Sequence, residues 1–189
     1  EAAYRLFIAR GYNATSMRDI SQSVGVTVGA LYNHFATKED IWVEVFKLNH
    51  PYHQIFPALK ASDEETIADL VRSFARKVIR ELVNRPDLLN LMFIEIVEFN
   101  ARHIADLHQT ILPEIISIGN ILKCKRGRMR KIPMAVIVRS FIGLFISYYI
   151  TSLFTDSLTE ITNDEESLNH MVDVYLFGIL ADDDLARCV

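Results

Sequence analysis

Seven glycines and five prolines are spread over 189 residues, and no stretch alternates apolar and polar residues as a half-buried strand would. A chain so poor in breakers, and rich in Leu, Ile, Ala, Glu and Arg, can do little but form helices. The fold class is therefore all-α. The breakers also say where the helices stop, and they predict about nine. Gly11 ends an amphipathic N-terminal helix as a C′ residue, and Gly25 ends a second, short one. A third helix runs from about 27 to 34. A fourth is closed before Pro51, because the residue before a proline disfavours the α region. Residues 51–61 hold Pro51 and Pro57 and read as a loop or broken helix. Further helices cover about 62–84, 87–101 and 102–124, the last containing Pro113. Pro133 opens a long apolar helix to about Phe154. Asn163 or Asp164 caps a final helix to about Ala181, and an acidic tail follows.

The starts are marked as clearly as the stops. Ser16-Met-Arg-Asp19 and Thr37-Lys-Glu-Asp40 are capping boxes with Asp at the third helical position, Thr27 is a cap, and Ser62 to Glu65 is another. The chain begins at Glu1, without a methionine and already inside a helical pattern, so native residues are expected upstream.

Composition excludes several classes. Half the residues are apolar and 23% are charged, which suits a globular chain rather than a disordered one. Cys124 and Cys188 make neither a disulfide framework nor a zinc pattern and read as reduced cytoplasmic thiols. His50 and His53, and His103 and His108, lack the i,i+4 spacing of a helical metal site, so no metal is expected. No nucleophile with base and orienting acid, and no glycine-rich phosphate loop, is present. We expect no enzyme and no cofactor. Residues 132–154 are long enough to cross a bilayer. Arg139 and the hydroxyls spread around that helix make it a core or interface helix instead, so no membrane partner is expected.

The net charge of −4 does not by itself exclude nucleic acid. Residues 1–50 carry five basic and five acidic groups, and the rest of the chain 15 basic and 19 acidic. Residues 16–34 form a helix, a turn at Gly25 and a second helix, the arrangement whose second helix enters the major groove. The tip of that helix is slim at Val28, Gly29 and Ala30. Gly29 costs about 1 kcal/mol in a helix relative to alanine, so it needs a reason, and close approach to DNA supplies one. Thr27 offers a hydroxyl, and Val28 can pack on a thymine methyl. Tyr32, Asn33 and His34 have polar tips that reach phosphate or base. Lys38, and Thr15 with Ser16, sit at first turns of helices, common phosphate grips.

These residues match a family. Gly11-Tyr12, Thr15-Ser16, Ile20-Ser21, Gly25-Val26-Thr27, Gly29-Ala30-Leu31-Tyr32, His34-Phe35 and Thr37-Lys38-Glu39 resemble the tetracycline-repressor (TetR) family over residues 3–46. Ser16, Ser21, Ser23 and Ala30 depart from the family pattern. The resemblance implies an N-terminal helix-turn-helix domain, residues 1–46, and a ligand-sensing and dimerising domain, residues 47–189. It implies a cytoplasmic homodimeric repressor on a palindromic double-stranded DNA operator, released when a small-molecule effector moves the fourth helix. The last two helices are the expected dimer surface, and Trp42 the expected hinge between domains.

Phe74, Met92, Phe93, Ile96, Phe99, Asn100, His103, Phe141, Phe145, Tyr148 and Tyr149 are core residues by default and together could line an apolar pocket with a few polar groups. The basic run Lys123–Lys131, six charges in nine residues, reads as a solvated turn or as a second anion-binding surface. The competing reading is a helical ligand-binding or adaptor protein whose helix-turn-helix is only structural.

Overall fold

The structure, a computed structural model, describes residues 1–155 and 165–180, with the side chains of Val83, His108 and 152–155 left out. The expected cap at Asn163 or Asp164, the end of the last helix at Ala181, the acidic tail and Cys188 lie outside the described residues. Among the described residues there are ten helices and no extended strand: α1 (Ala2–Arg10), α2 (Met17–Val24), α3 (Val28–Tyr32), α4 (Lys38–Asn49), α5 (Tyr52–Lys60), α6 (Ile67–Asn84), α7 (Asp87–Phe99), α8 (Arg102–Cys124), α9 (Met134–Thr155) and α10 (Glu165–Ile179). The tenth is α5. Pro57 lies inside it, and the segment is helical rather than looped.

Local chemistry sets most of the boundaries. Both predicted capping boxes form: Ser16 accepts from the Asp19 N–H and Thr37 from that of Asp40, with each aspartate accepting from the cap backbone in return. Gly11 and Gly25 take positive φ, 83° and 72°. Asn100, in the left-handed region, ends α7. One cap moves. The helix expected from Ser62 begins at Ile67, because Thr66 is the residue whose Oγ1 accepts from the Asp69 N–H, at 3.0 Å. A bridge between Thr66 and Arg126 holds that start, with the Ile67 N–H donating to the Arg126 carbonyl at 3.0 Å.

The chain forms two compact units, Glu1–Tyr52 with Arg85–Thr110, and His53–Asn84 with the residues from Ile111 onward. In the first, α1, α2 and α4 surround Phe7, Ile20, Leu31, Ile41 and Phe46, all buried. Trp42, the expected hinge residue, is fully buried at the centre of this core: its ring meets those of Phe7, Tyr12, Phe46 and Phe99 at 5.3–6.1 Å. Such pairs add about 0.5–1.5 kcal/mol each beyond the area they bury. The Trp42 Nε1–H donates to Glu95 Oε2 at 2.7 Å, which joins α4 to α7.

In the second unit, α6, α9 and α10 pack around Leu70, Ala75, Ile137, Phe145, Val172 and Leu176. Arg72 and Asp173 pair across α6 and α10 at 2.8 Å. Residues Met134–Thr151 of α9 are long and apolar enough to cross a membrane by length and composition. One side of this helix, with Ile137 and Phe145, enters the unit's core, while Val136, Ile142 and Ile146 stay exposed.

Candidate nucleic-acid interface

The helix-turn-helix is assembled by three short-range devices. The Ser16 box starts α2. Gly25, in the left-handed conformation, turns the chain after it, with the Val26 N–H donating back to the Ser21 carbonyl at 3.0 Å. Thr27 then caps α3, its Oγ1 accepting from the Ala30 N–H at 3.1 Å. That cap occupies an oxygen lone pair and leaves the hydroxyl proton available to donate outward. Apolar residues anchor both helices, with Met17 and Ile20 of α2 and Leu31 of α3 buried.

The other face of the pair is open. Ser16, Thr27, Gly29, Tyr32, Asn33 and His34 are exposed, and Val28 and Ala30 are half-buried. Tyr32 keeps 51% of its surface in solvent although it sits next to a buried leucine. Gly29 has nothing of its own protein within 4 Å of where a Cβ would stand. The fold therefore does not require a glycine there, and a close external surface remains a reason for one.

Two of the ten residues singled out for DNA are turned inward instead. Thr15 is 1% exposed, and its Oγ1 donates to the Gly11 carbonyl at 2.9 Å and the Leu6 carbonyl at 3.3 Å. It ties off the C-terminus of α1. Lys38 is not an outward phosphate grip: its Nζ donates to the Tyr12 and Thr15 carbonyls, both at 2.8 Å, and stands 4.0 Å over the Tyr12 ring. Burial lowers its pKa from the ordinary lysine value, and the Glu98 carboxylate opposes that shift. The ammonium neutralises the carbonyl dipoles of the turn after α1, a favourable place for a cation. Sequence reasoning does not single out Arg18, which the fold adds to this face. It is exposed on α2, two residues from Ser16, and pairs with no acidic group among the described residues. Its signal in the sequence is its place in the first turn of the first helix of the pair.

The residues expected to line a ligand pocket divide between the two units. Phe99 and His103 belong to the first and are buried in it. Phe99 stacks on Trp42 and meets the Tyr12 ring edge-on, so it is core rather than pocket wall. His103 lies between two carboxylates, Nδ1 at 3.0 Å from Glu95 and Nε2 at 3.1 Å from Glu39. Asn100 is the exposed left-handed residue after α7, and Phe93 and Ile96 are exposed on α7. In the second unit Phe74, Phe141, Phe145 and Tyr175 meet, with Phe74 and Phe141 stacked at 5.2 Å. Phe74 also lines a groove of about 150 Å³ with Gln54, Ile55, Ala58, Lys77, Val78 and Glu81.

Comparison with known proteins agrees with this geometry. The family described as "Bacterial regulatory proteins, tetR family" matches residues 1–45. The transcriptional repressor AcnR of Corynebacterium efficiens is 25% identical over 85% of this chain and 85% of its own. The transcriptional regulator TtgR of Pseudomonas putida is 34% identical over 44% of this chain and 40% of its own. The fold is that of NalD, the secondary repressor of the MexAB-OprM multidrug efflux pump in Pseudomonas aeruginosa, with a TM-score of 0.64, 19% identity, and coverage of 96% of this chain and 94% of that one. The family match covers the capped helix pair, so residues 1–45 are similar to the DNA-binding region of tetR-family bacterial regulators, and the all-helical body shares the fold of solved regulators of that kind.

Proposed function

We propose that the chain is a ligand-responsive repressor, which binds a palindromic operator as a homodimer and leaves it when a small apolar effector binds. One observation carries the DNA half of this reading. Eight of the residues chosen for their chemistry, Ser16, Thr27 to Ala30 and Tyr32 to His34, lie on exposed or half-exposed positions of one helix pair whose apolar side is buried. Thr27, Val28 and Asn33 read base edges, while Ser16, Tyr32, His34 and Arg18 touch phosphates. Lys38 and Thr15 position the pair.

Dimerisation is supported by an unsatisfied surface on the second unit. Val136, Ile142 and Ile146 on α9, and Val174 and Phe177 on α10, are 43–72% exposed. Gly143 and Ser147 fall on the same side of α9 and allow close helix approach. Covering such a face with a second copy recovers about 25 cal/mol per Å² of apolar surface. A two-fold axis then requires two half-sites on the DNA.

The Phe74 groove suits an effector with an apolar body, its polar edge met by Gln54, Lys77 or Glu81. Residues 1–46 act as the DNA-binding domain, and the remainder, in the cytoplasm, senses and dimerises. The test is fluorescence anisotropy on the DNA flanking the protein's own gene, at several salt concentrations, against random duplex. A salt-dependent preference for one site supports the reading. Equal affinity for both duplexes at moderate salt refutes it.

A further inference from the structure

The first unit contains a buried acid that DNA binding does not use. Glu95 is fully buried on α7, a largely apolar helix. Its carboxylate accepts three hydrogen bonds: from Trp42 Nε1–H at 2.7 Å, from the His103 backbone N–H at 2.8 Å, and through Oε2 with His103 Nδ1 at 3.0 Å. The far ring nitrogen of His103, Nε2, faces Glu39 Oε1 at 3.1 Å. Glu39 is in the first turn of α4, next to Lys38, and also pairs with Arg102 at 2.5 Å.

Carboxylates only accept, and a neutral imidazole carries a single N–H. The ring can therefore donate to Glu95 and to Glu39 together only when it holds a proton on both nitrogens. When it loses one, a nitrogen lone pair faces a carboxylate oxygen, and the contact between α8 and the first turn of α4 is weakened to the exposed Arg102–Glu39 pair. The charged groups that face the ring are Glu95 on α7, Glu39 on α4 and, through its pair with Glu39, Arg102 on the ring's own helix. Beyond them, Asp40 and Glu98 lie near Tyr12, whose ring packs on Phe99 beside His103.

Resting on the operator reading above, we propose that His103 is a proton-dependent latch, holding the first turn of α4 in the DNA-binding position and loosening it as pH rises. Glu39 lies seven residues beyond Tyr32 at the end of α3, and its neighbour Lys38 clamps the turn after α1. Anchoring Glu39 therefore fixes the frame on which α3 sits. The latch makes operator affinity fall about three- to tenfold as the ring deprotonates, the net worth of about one ordinary hydrogen bond.

Trp42 is the one tryptophan in the sequence and is bonded to the same Glu95, so its fluorescence reports the latch without DNA. The experiment titrates Trp42 fluorescence from pH 5 to 8.5, roughly the histidine range, in the full-length wild type and in His103→Gln. Operator affinity is measured over the same range with Glu39 and with Glu39→Gln, both in a His34→Gln background, so that the interface histidine contributes nothing. The latch predicts a one-proton fluorescence transition absent from His103→Gln, and a fall in affinity with pH that Glu39→Gln flattens. A transition unchanged in His103→Gln overturns it. So does affinity that is operator-specific yet flat with pH when Glu39 is present. Absence of specific binding at every pH defeats the operator reading and the latch with it, whereas flat but specific binding defeats the latch alone.

Discussion

Replacing Gly29 with alanine separates what the fold needs from what DNA needs. In the free protein the new methyl has open space, with nothing within 4 Å of the Cβ position, and no positive φ to strain it. A helical Gly→Ala change at such a site stabilises by up to about 1 kcal/mol, chiefly by restricting the unfolded chain. For a chain of this size that raises Tm by about 2–4 °C. On DNA the same methyl stands between the helix backbone and the groove. Pushing the helix outward there weakens contacts made by Thr27, Val28 and Asn33, and we predict at least about tenfold lower operator affinity, some 1.4 kcal/mol. The assay pairs calorimetry on free protein with anisotropy on the operator. A raised Tm with unchanged or tighter binding refutes the idea that α3 approaches DNA at Gly29. A lowered Tm refutes the claim that the site is open in the free protein.

Four further outcomes follow from the geometry. Lys38→Ala lowers stability by about 1–3 kcal/mol, read as Tm, because the Tyr12 and Thr15 carbonyls lose a charged donor. Arg18→Ala leaves Tm nearly unchanged but weakens binding to all sequences alike, reducing the slope of log affinity against log salt by about 1. Trp42→Phe deprives the buried Glu95 of a donor and lowers stability by about 1–3 kcal/mol in denaturant unfolding. Ile142→Glu combined with Val174→Glu places charges on the exposed faces of α9 and α10, and sedimentation should then show monomer where the parent shows dimer.

Short-range chemistry is what the sequence makes legible. The Ser16–Asp19 and Thr37–Asp40 boxes close within three residues, and Gly25 carries its turn alone, so the helix pair is placed by residue types and spacing. The outward residues of α3 follow from helical spacing once Leu31 is assigned to the core. Lys38 does not yield to the same reasoning, because its partners lie 23 and 26 residues earlier and only folding brings them to its ammonium. Ser62 and Thr66 are both good caps by type, and the bridge to Arg126 decides between them. Glu95 looks like a surface acid within an apolar helix. Its burial depends on Trp42, 53 residues away, and on His103 in the next helix, which is also why His103 and Phe99 read as pocket residues but are core. Pro57 reads as a breaker, yet α5 continues through it.

In the proposed function the open side of α2 and α3 reads a specific duplex. This is tested most directly by hydroxyl-radical footprinting of the DNA upstream of the protein's own gene, with wild type beside a Thr27→Ala, Asn33→Ala double variant. The expected result is two protected half-sites related by a two-fold axis and spaced by about one helical turn or a multiple of it, lost in the variant while its Tm stays within a few degrees. Protection without symmetry, or a footprint the double variant leaves intact, would contradict it.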